Sequence, residues 1–436
     1  MAIDLLFNEA YLFPKADISQ RYPRNKMTEK TTLANGICVI TTANPRADII
    51  AGRLFFRSGS CRETREQSGL GHLLAAVMMK GTQDLSALEI AEKVESVGAS
   101  LGTEAAMDYF LVYLKSVTKD FLPLLELAAE IIRSPSLPLD QIELERRLTL
   151  QRLKQSQEQP MNVAFEAMRQ LLYQEHPYAA STLGNPDSVS NLQREDLAYF
   201  HQAYFRPDNL IISVAGNITH QENLELVAQV FGDWQAPIMP RPELVLPPVI
   251  SRPQAQTIHQ ETQQSIVMLG YLAAPVHDPD YAAFKLLSAY LSNGLSSRLF
   301  VELREKQGLA YEVSTLYPTR VHTSAFIAYM GTAPANQEIA LTGLGAEIDR
   351  LSEISLSSNE LQTTKNKILG QYALGKQTNA QLAQSYGLYE VLGLGIEFDQ
   401  QFTQVVDRVT IEEIQATAQK YLQNPYTVIV GFSNNA

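Results

Sequence analysis

Residues 68–82 read SGLGHLLAAVMMKGT, and the fold turns on how that stretch is understood. A metal-binding helix of the inverted type would carry His-x-x-Glu-His here, then an apolar run and a Lys-Gly-Thr stop. This chain has His72, then Leu73 and Leu74, then Ala75 and Ala76. The stretch is the remnant of a zinc site or a buried helix with one histidine. Either way it is a helix.

The chain around it has 436 residues, which points to two or more structural units. Its 45% hydrophobic and 19% charged residues are those of a globular protein. A formal net charge of -12 disfavours nucleic acid and anionic membrane surfaces; it suits cationic peptides, but on charge alone plain solubility is the better reading. Cys38 and Cys61 make no disulfide framework, and Cys38, in the alternating run GICVITT, reads as a small core residue. The opening MAIDLLFNEAYLFPKADISQ lacks a basic region followed by an apolar core of roughly 7–15 residues, so no signal peptide is expected. No uninterrupted apolar run reaches the length of about 18 residues that spans a bilayer, and a cytoplasmic location is expected.

Residues 236–254, APIMPRPELVLPPVISRPQ, hold six prolines and read as an extended connector. The expected division is a unit over 1–235, a linker over 236–255 and a unit over 256–436. The halves resemble each other. LELAAEIIRSPSLPLDQIELERRLTLQRLKQ parallels LGAEIDRLSEISLSSNELQTTKNKILGQ, each a helix, a turn, a Ser or Asp cap and a long amphipathic helix. REDLAYFHQAYFRPDNLIISVAGNI parallels IEEIQATAQKYLQNPYTVIVGFSN, each a helix, a turn and a strand running into glycine. The runs GICVITT, IIAGRLFFRSG, SLGTEAAMDYFLVYLKSV, SIVMLGYLA and SAFIAYMGT read as strands. Strands and helices come in blocks, which predicts an α+β fold of two duplicated units facing each other.

Several ordered motifs carry a resemblance: RSGSCRETREQSGLGH leading into the helix, YQEHPYAASTLGNPDSV, YFRPDNLIISVAGNI, and SSRLFVELREKQGLAYEVS in the second half. Together they resemble the pitrilysin or insulinase-type metallopeptidases, which include mitochondrial processing peptidase and its bacterial relatives. In that family two histidines hold zinc, the intervening Glu polarises the attacking water, and a later Glu completes the metal site. The resemblance puts the first His on His72, the general base on Ala75 and the second His on Ala76. The family's paired glutamates fall on Gln151 and Arg152. Loss of the base alone removes roughly 10²–10⁴ in rate, and loss of the metal removes the nucleophile too. The chain alone is expected to hold no metal and to cleave no peptide. An improvised metal site would have to use residues such as Glu63, Glu66 or Asp108. The strand that pairs with substrate in active relatives carries an Asn-Ala-x-Thr pattern; here Gly102, Thr103, Glu104 and Ala105 stand in its place. Main-chain pairing with a peptide would survive that change.

The second half keeps more. The helix YAAFKLLSAYLSNGLSSRLFVELREK is expected to stop at Gly308, with Arg304 near its end and Tyr311 just inside the next strand. In the family an Arg and a Tyr so spaced reach toward a zinc site and stabilise the oxyanion. On residues alone, Arg304 could equally belong to a solvated face with Glu302 and Glu305, and Tyr311 could be packing. The resemblance implies a zinc-lacking subunit that lends Arg304 and Tyr311 to a zinc-bearing paralogous partner acting on peptides. Zinc would then sit only in the partner. A structural subunit of a larger complex, or a homodimeric peptide-binding chamber, are the alternatives. The short LSNGLSSRL segment lacks the long glycine-rich loop of the presequence-binding subunit type.

Overall fold

Alternating β-branched and aromatic residues pair into strands wherever the sequence places them, and they build two sheets of one design. The computed structural model describes residues 28–46 and 48–431; the opening stretch read above for a signal peptide lies outside the described residues. The first sheet comprises β1 (Thr28–Thr32), β2 (Cys38–Ala43), β3 (Ile49–Phe56), β4 (Ser100–Ala105), β5 (Phe110–Val117) and β6 (Leu210–Gly216), in the order β1-β2-β6-β3-β5-β4. The second comprises β7 (Ala255–His259), β8 (Ser265–Ala273), β9 (Glu312–Leu316), β10 (Ser324–Thr332) and β11 (Tyr426–Gly431), in the order β7-β11-β8-β10-β9. In each, the last strand in sequence runs parallel to the first of the shared pattern, β6 along β2 and β11 along β7. All other pairings are antiparallel. The fold is α+β and internally duplicated; β1 is the first sheet's addition.

The helices follow the same plan. In the first unit they are α1 (Leu70–Met78), α2 (Ala87–Glu95), α3 (Phe121–Arg133), α4 (Leu139–Gln157), α5 (Pro160–Tyr173), α6 (Pro186–Asn191), α7 (Arg194–Tyr204) and α8 (His220–Phe231). In the second they are α9 (Tyr281–Ser292), a π-helix (Phe300–Lys306), α10 (Gln337–Glu353), α11 (Ser358–Leu374), α12 (Asn379–Val391), α13 (Phe398–Arg408) and α14 (Ile411–Tyr421). Most cover one face of their own sheet, around Leu54, Val112 and Phe121 in the first unit and Leu269, Phe284 and Phe326 in the second.

One helix of each unit crosses over. Helix α5 packs on β8 and β11 of the second sheet, and α12 packs on β3 and β6 of the first. Glycines make these contacts possible. A Cβ on Gly270 of β8 would stand 2.3 Å from Met168 Sδ of α5, and one on Gly387 of α12 would stand 2.3 Å from Phe55 of β3. The exchange gives each sheet a second covered face and ties the halves together through Met168, Tyr178 and Val428 on one side and Phe55, Ile211 and Tyr386 on the other.

Two expectations are corrected. The long helix read over residues 281–306 is two segments, because the chain turns at Gly294 (φ 83°) and resumes as the π-helix. Helix α4 starts behind Pro138 with no side-chain cap, whereas its counterpart α11 has the Ser357–Glu360 capping box. The proline-rich stretch is extended, with Ile238, Met239 and Val245 exposed, but it is tethered: Arg206 donates to the carbonyls of Met239 (2.8 Å) and Pro237 (3.2 Å). Cys38 and Cys61 are free and buried. Among the described residues no helix is long and apolar enough to cross a membrane.

Candidate functional site

Helix α1 is set by its amino-terminal end. Gly69 adopts φ 94°, a conformation open to glycine, and its N–H donates to Glu63 at 2.8 Å while that of Gly71 donates at 2.7 Å. Glu63 is thus an acidic clamp on the positive end of the helix. Burial pushes its carboxyl up to about 8, against the backbone N–H groups of Gly71, Gly69 and Leu70, which favour the charged form. The apolar residues that follow, Leu70, Leu73, Leu74, Val77 and Met78, enter the core and fix the helix rigidly.

That rigid helix presents His72, Ala75 and Ala76 toward α4 and β4. Ala75 is buried and accepts a 2.6 Å hydrogen bond at its carbonyl from Thr103 of β4. On α4, Glu145 is buried and pairs with Lys80 at 2.9 Å, Thr149 is buried, and Gln151 and Arg152 are exposed. His72 is held below its ordinary pKa, first by burial and then by the positive charge of Arg152, with Glu145 opposing. Among the described residues its Nε2 has no hydrogen-bond partner. Helix packing therefore does bring His72 and Arg152 into one electrostatic neighbourhood.

The donor set does not fit zinc. One imidazole remains, two methyl groups offer no lone pair, and Arg152 brings a positive charge. Among the described residues no three His, Cys, Asp or Glu side chains converge. The residues weighed for an improvised site lie apart. Glu63 is engaged by α1, and Asp108 accepts a hydrogen bond from Tyr178 beside Arg320. Glu66 sits on the surface.

The second unit places Arg304 and Tyr311 at the approach to an outer strand. Gly308 (φ 65°) ends the π-helix, its N–H bonded to the Arg304 carbonyl at 3.1 Å, and the Leu309 N–H reaches the Leu303 carbonyl at 2.9 Å. Arg304 is exposed and lies over the Phe300 ring, 5.0 Å from its centroid. The carboxylate that could have neutralised it, Glu302, pairs with Arg298 and Lys306, each at 2.9 Å. Tyr311 stands immediately before β9, not inside it, and is 56% exposed; its N–H donates to the Gly331 carbonyl at 2.9 Å. A guanidinium and a phenol thus face solvent at one sheet edge.

Two features escaped the sequence reading. One is the Glu63 clamp, whose signal was a glutamate shortly before Gly69 and Gly71. The other is a seam between the units, where Asp108 and Tyr178 meet Arg320 and His322, with the His176 ring edge-on to Tyr178 at a centroid distance of 4.6 Å. Burial, and then His322, pull the His176 pKa down to about 4.

The chain matches the model of insulinase (peptidase family M16) over residues 38–186 and that of the peptidase M16 inactive domain over residues 191–368. An uncharacterized zinc protease of Mycobacterium leprae is 26% identical over 415 residues, covering 92% of this chain and 91% of that one. Another, of Bacillus subtilis, is 24% identical over 408 residues, covering 92% and 97%. Among solved structures, a protease from Helicobacter pylori superposes with a TM-score of 0.89 at 22% identity, over 93% of this chain and 99% of that one. A peptidase M16 inactive domain from Pseudomonas fluorescens gives 0.87 at 23% identity, over 93% and 98%.

Proposed function

The chain belongs to peptidase family M16, and from that premise we propose that it is the zinc-lacking subunit of a two-subunit peptidase, lending Arg304 and Tyr311 to a zinc-bearing paralogous partner. The observation that carries this reading is the asymmetry of the two units. Ala75 takes the place of the base, and Ala76 and Arg152 those of metal ligands, while Arg304 and Tyr311 remain exposed at an outer strand and, among the described residues, without an ion pair. A charged donor and a neutral donor beside a free strand edge suit a peptide carbonyl that gains charge as it is attacked. The unit division, 1–235 and 256–436 about the proline-rich linker, is part of the same proposal. It gives one half a structural role and the other the substrate-facing side chains.

The test is to reconstitute the chain with a zinc-bearing paralogue and measure turnover and KM on a peptide substrate. Tyr311→Phe removes one donor and is expected to lower turnover roughly 10²–10³-fold. Arg304→Ala is expected to lower it at least as far. Neither should affect folding, since both side chains are exposed. Variants as active as the parent in an intact complex would overturn the reading and favour a structural subunit.

A further inference from the structure

The segment that carries Arg304, Phe300–Lys306, is a π-helix. Such turns are rare and frequently mark functional sites. This one is held from outside at several points. Its inner side is Leu299 and Leu303, both wholly buried, and a Cβ on Gly343 of α10 would stand 3.1 Å from Leu303. Its carboxyl end closes on Gly308, whose N–H holds the Arg304 carbonyl at 3.1 Å.

One flank is an ionic ladder. Arg298 donates to Glu347 of α10 through Nε at 2.7 Å and through Nη2 at 3.2 Å. Its Nη1 meets Glu302 at 2.9 Å, and Lys306 takes the same Glu302 at 2.9 Å. The Glu302 and Glu347 side chains are 17% and 12% exposed, so the ladder is screened less than a free surface pair.

Residues two apart on a helix point away from each other, and residues four apart share a face. Arg298, Glu302 and Lys306 therefore hold one flank, and Phe300 and Arg304 share the other. There the Arg304 guanidinium lies over the Phe300 ring, 5.0 Å from its centroid. A guanidinium seated on a ring keeps its N–H groups, which lie in its own plane, free to donate. An exposed arginine without a seat spreads over many rotamers, and ordering it on binding offsets part of what the contact contributes.

We propose that Phe300 and Arg298 are positioning residues for Arg304. The ring seats the guanidinium, and the bridge from Glu302 through Arg298 to Glu347 fixes the π-helix in the register that brings ring and guanidinium together. Their part in turnover rests on the role proposed above for Arg304, whereas the seat is a property of this chain alone.

Two measurements separate these. In the ¹⁵N-labelled full chain, the Arg304 Nε–H signal, identified by its loss in Arg304→Ala, should show the positive heteronuclear NOE of an ordered side chain. Phe300→Leu and Arg298→Gln should each make it mobile, and Phe300→Tyr should keep it ordered. In the complex reconstituted with a zinc-bearing paralogue, Phe300→Leu should lower turnover about fivefold, the worth of one exposed cation–π contact, with KM unchanged. Arg298→Gln should lower it at least as far, and Phe300→Tyr, which keeps a ring, should retain most of it. In an Arg304→Ala background neither Phe300→Leu nor Arg298→Gln should have a further effect, because the side chain they position is gone. An Arg304 signal equally mobile in parent and variants, or losses of turnover that persist undiminished in the Arg304→Ala background, would overturn the proposal. An ordered signal that Phe300→Leu abolishes, in a complex that Arg304→Ala leaves fully active, would uphold the seat and overturn the role of Arg304 itself.

Discussion

The two units solve the same structural problem twice. In each, the chain leaves the central strand, β3 or β8, passes through two helical segments and returns as the outer strand, β4 or β9. The ladders make the correspondence residue by residue. From the strand-ending glycines Gly216 and Gly431, Ala215 corresponds to Val430 and Ala51 to Ile266; then Lys115 corresponds to Gly331 and Ser100 to Glu312. Tyr311 therefore stands where the first unit has Ala99, a half-buried residue packed on its core. The first unit has a small apolar group there, and the second shows a phenol to solvent. In the first unit the contrast is reversed: α1 has been given over to packing, and its histidine is left half-buried with a nitrogen that has no partner among the described residues. Fold and chemistry vary independently on one scaffold.

The largest expected effect comes from reversing the loss. If Ala75, Ala76 and Arg152 occupy the places of base and ligands, then Ala75→Glu, Ala76→His and Arg152→Glu together should take the chain from no retained zinc to one equivalent per chain. Affinity should be micromolar or tighter, about 8 kcal/mol. Elemental analysis after gel filtration reads the result. A folded triple variant without zinc would break the correspondence between this helix pair and a metal site.

Much of this architecture was open to a reader of the sequence. The alternating runs became strands at nearly the expected places, and the paired blocks became α3–α4 against α10–α11 and α7–β6 against α14–β11. What was hidden had physical reasons. Periodicity shows that α5 and α12 each have an apolar face, but not which sheet the face will cover. Gly270 and Gly387 look like ordinary glycines in a strand and a helix, and only the crossing shows that each makes room for a side chain of the other unit. The break in the α9 region was concealed because Leu291, Leu299 and Leu303 keep an apolar pattern through a turn. The positions of His72 and Arg152 were legible only through resemblance; their electrostatic meeting depends on how α1 packs on α4.

A second, smaller test concerns what now holds α1 in place. The Glu63 carboxyl is raised in the folded protein to about 8 from an ordinary value of 4.5, chiefly by burial. Between those values the folded chain holds a proton that the unfolded chain has released. The contribution is therefore fully present below pH 4.5 and is lost as pH rises through about 8. Relative to Glu63→Gln, which has no such titration, the parent should lose stability between pH 5 and pH 8. At roughly 1.4 kcal/mol per unit, about 4 kcal/mol is the upper bound over that window. Urea denaturation of both proteins across the range would measure it. A difference independent of pH would mean that the Gly69 and Gly71 N–H groups keep Glu63 ionised throughout.

The smallest effect separates the two crossing helices themselves. An added methyl at Gly387 would meet the ring of Phe55, which is wholly buried and hemmed by Tyr109 at a centroid distance of 5.3 Å. A ring so enclosed cannot turn aside without disturbing β3 and β5, so Gly387→Ala should destabilise by about 1–3 kcal/mol, the usual range for overpacking. At Gly270 the same methyl meets the sulfur of Met168, the far part of a flexible side chain. Methionine re-rotamerises easily, so Gly270→Ala should fall below about 1.5 kcal/mol. Thermal unfolding of the two single variants reads the order directly. If Gly270→Ala is the more damaging, the α5 crossing is the tighter of the two, and the seam near Met168 holds the halves together more firmly than the one near Phe55.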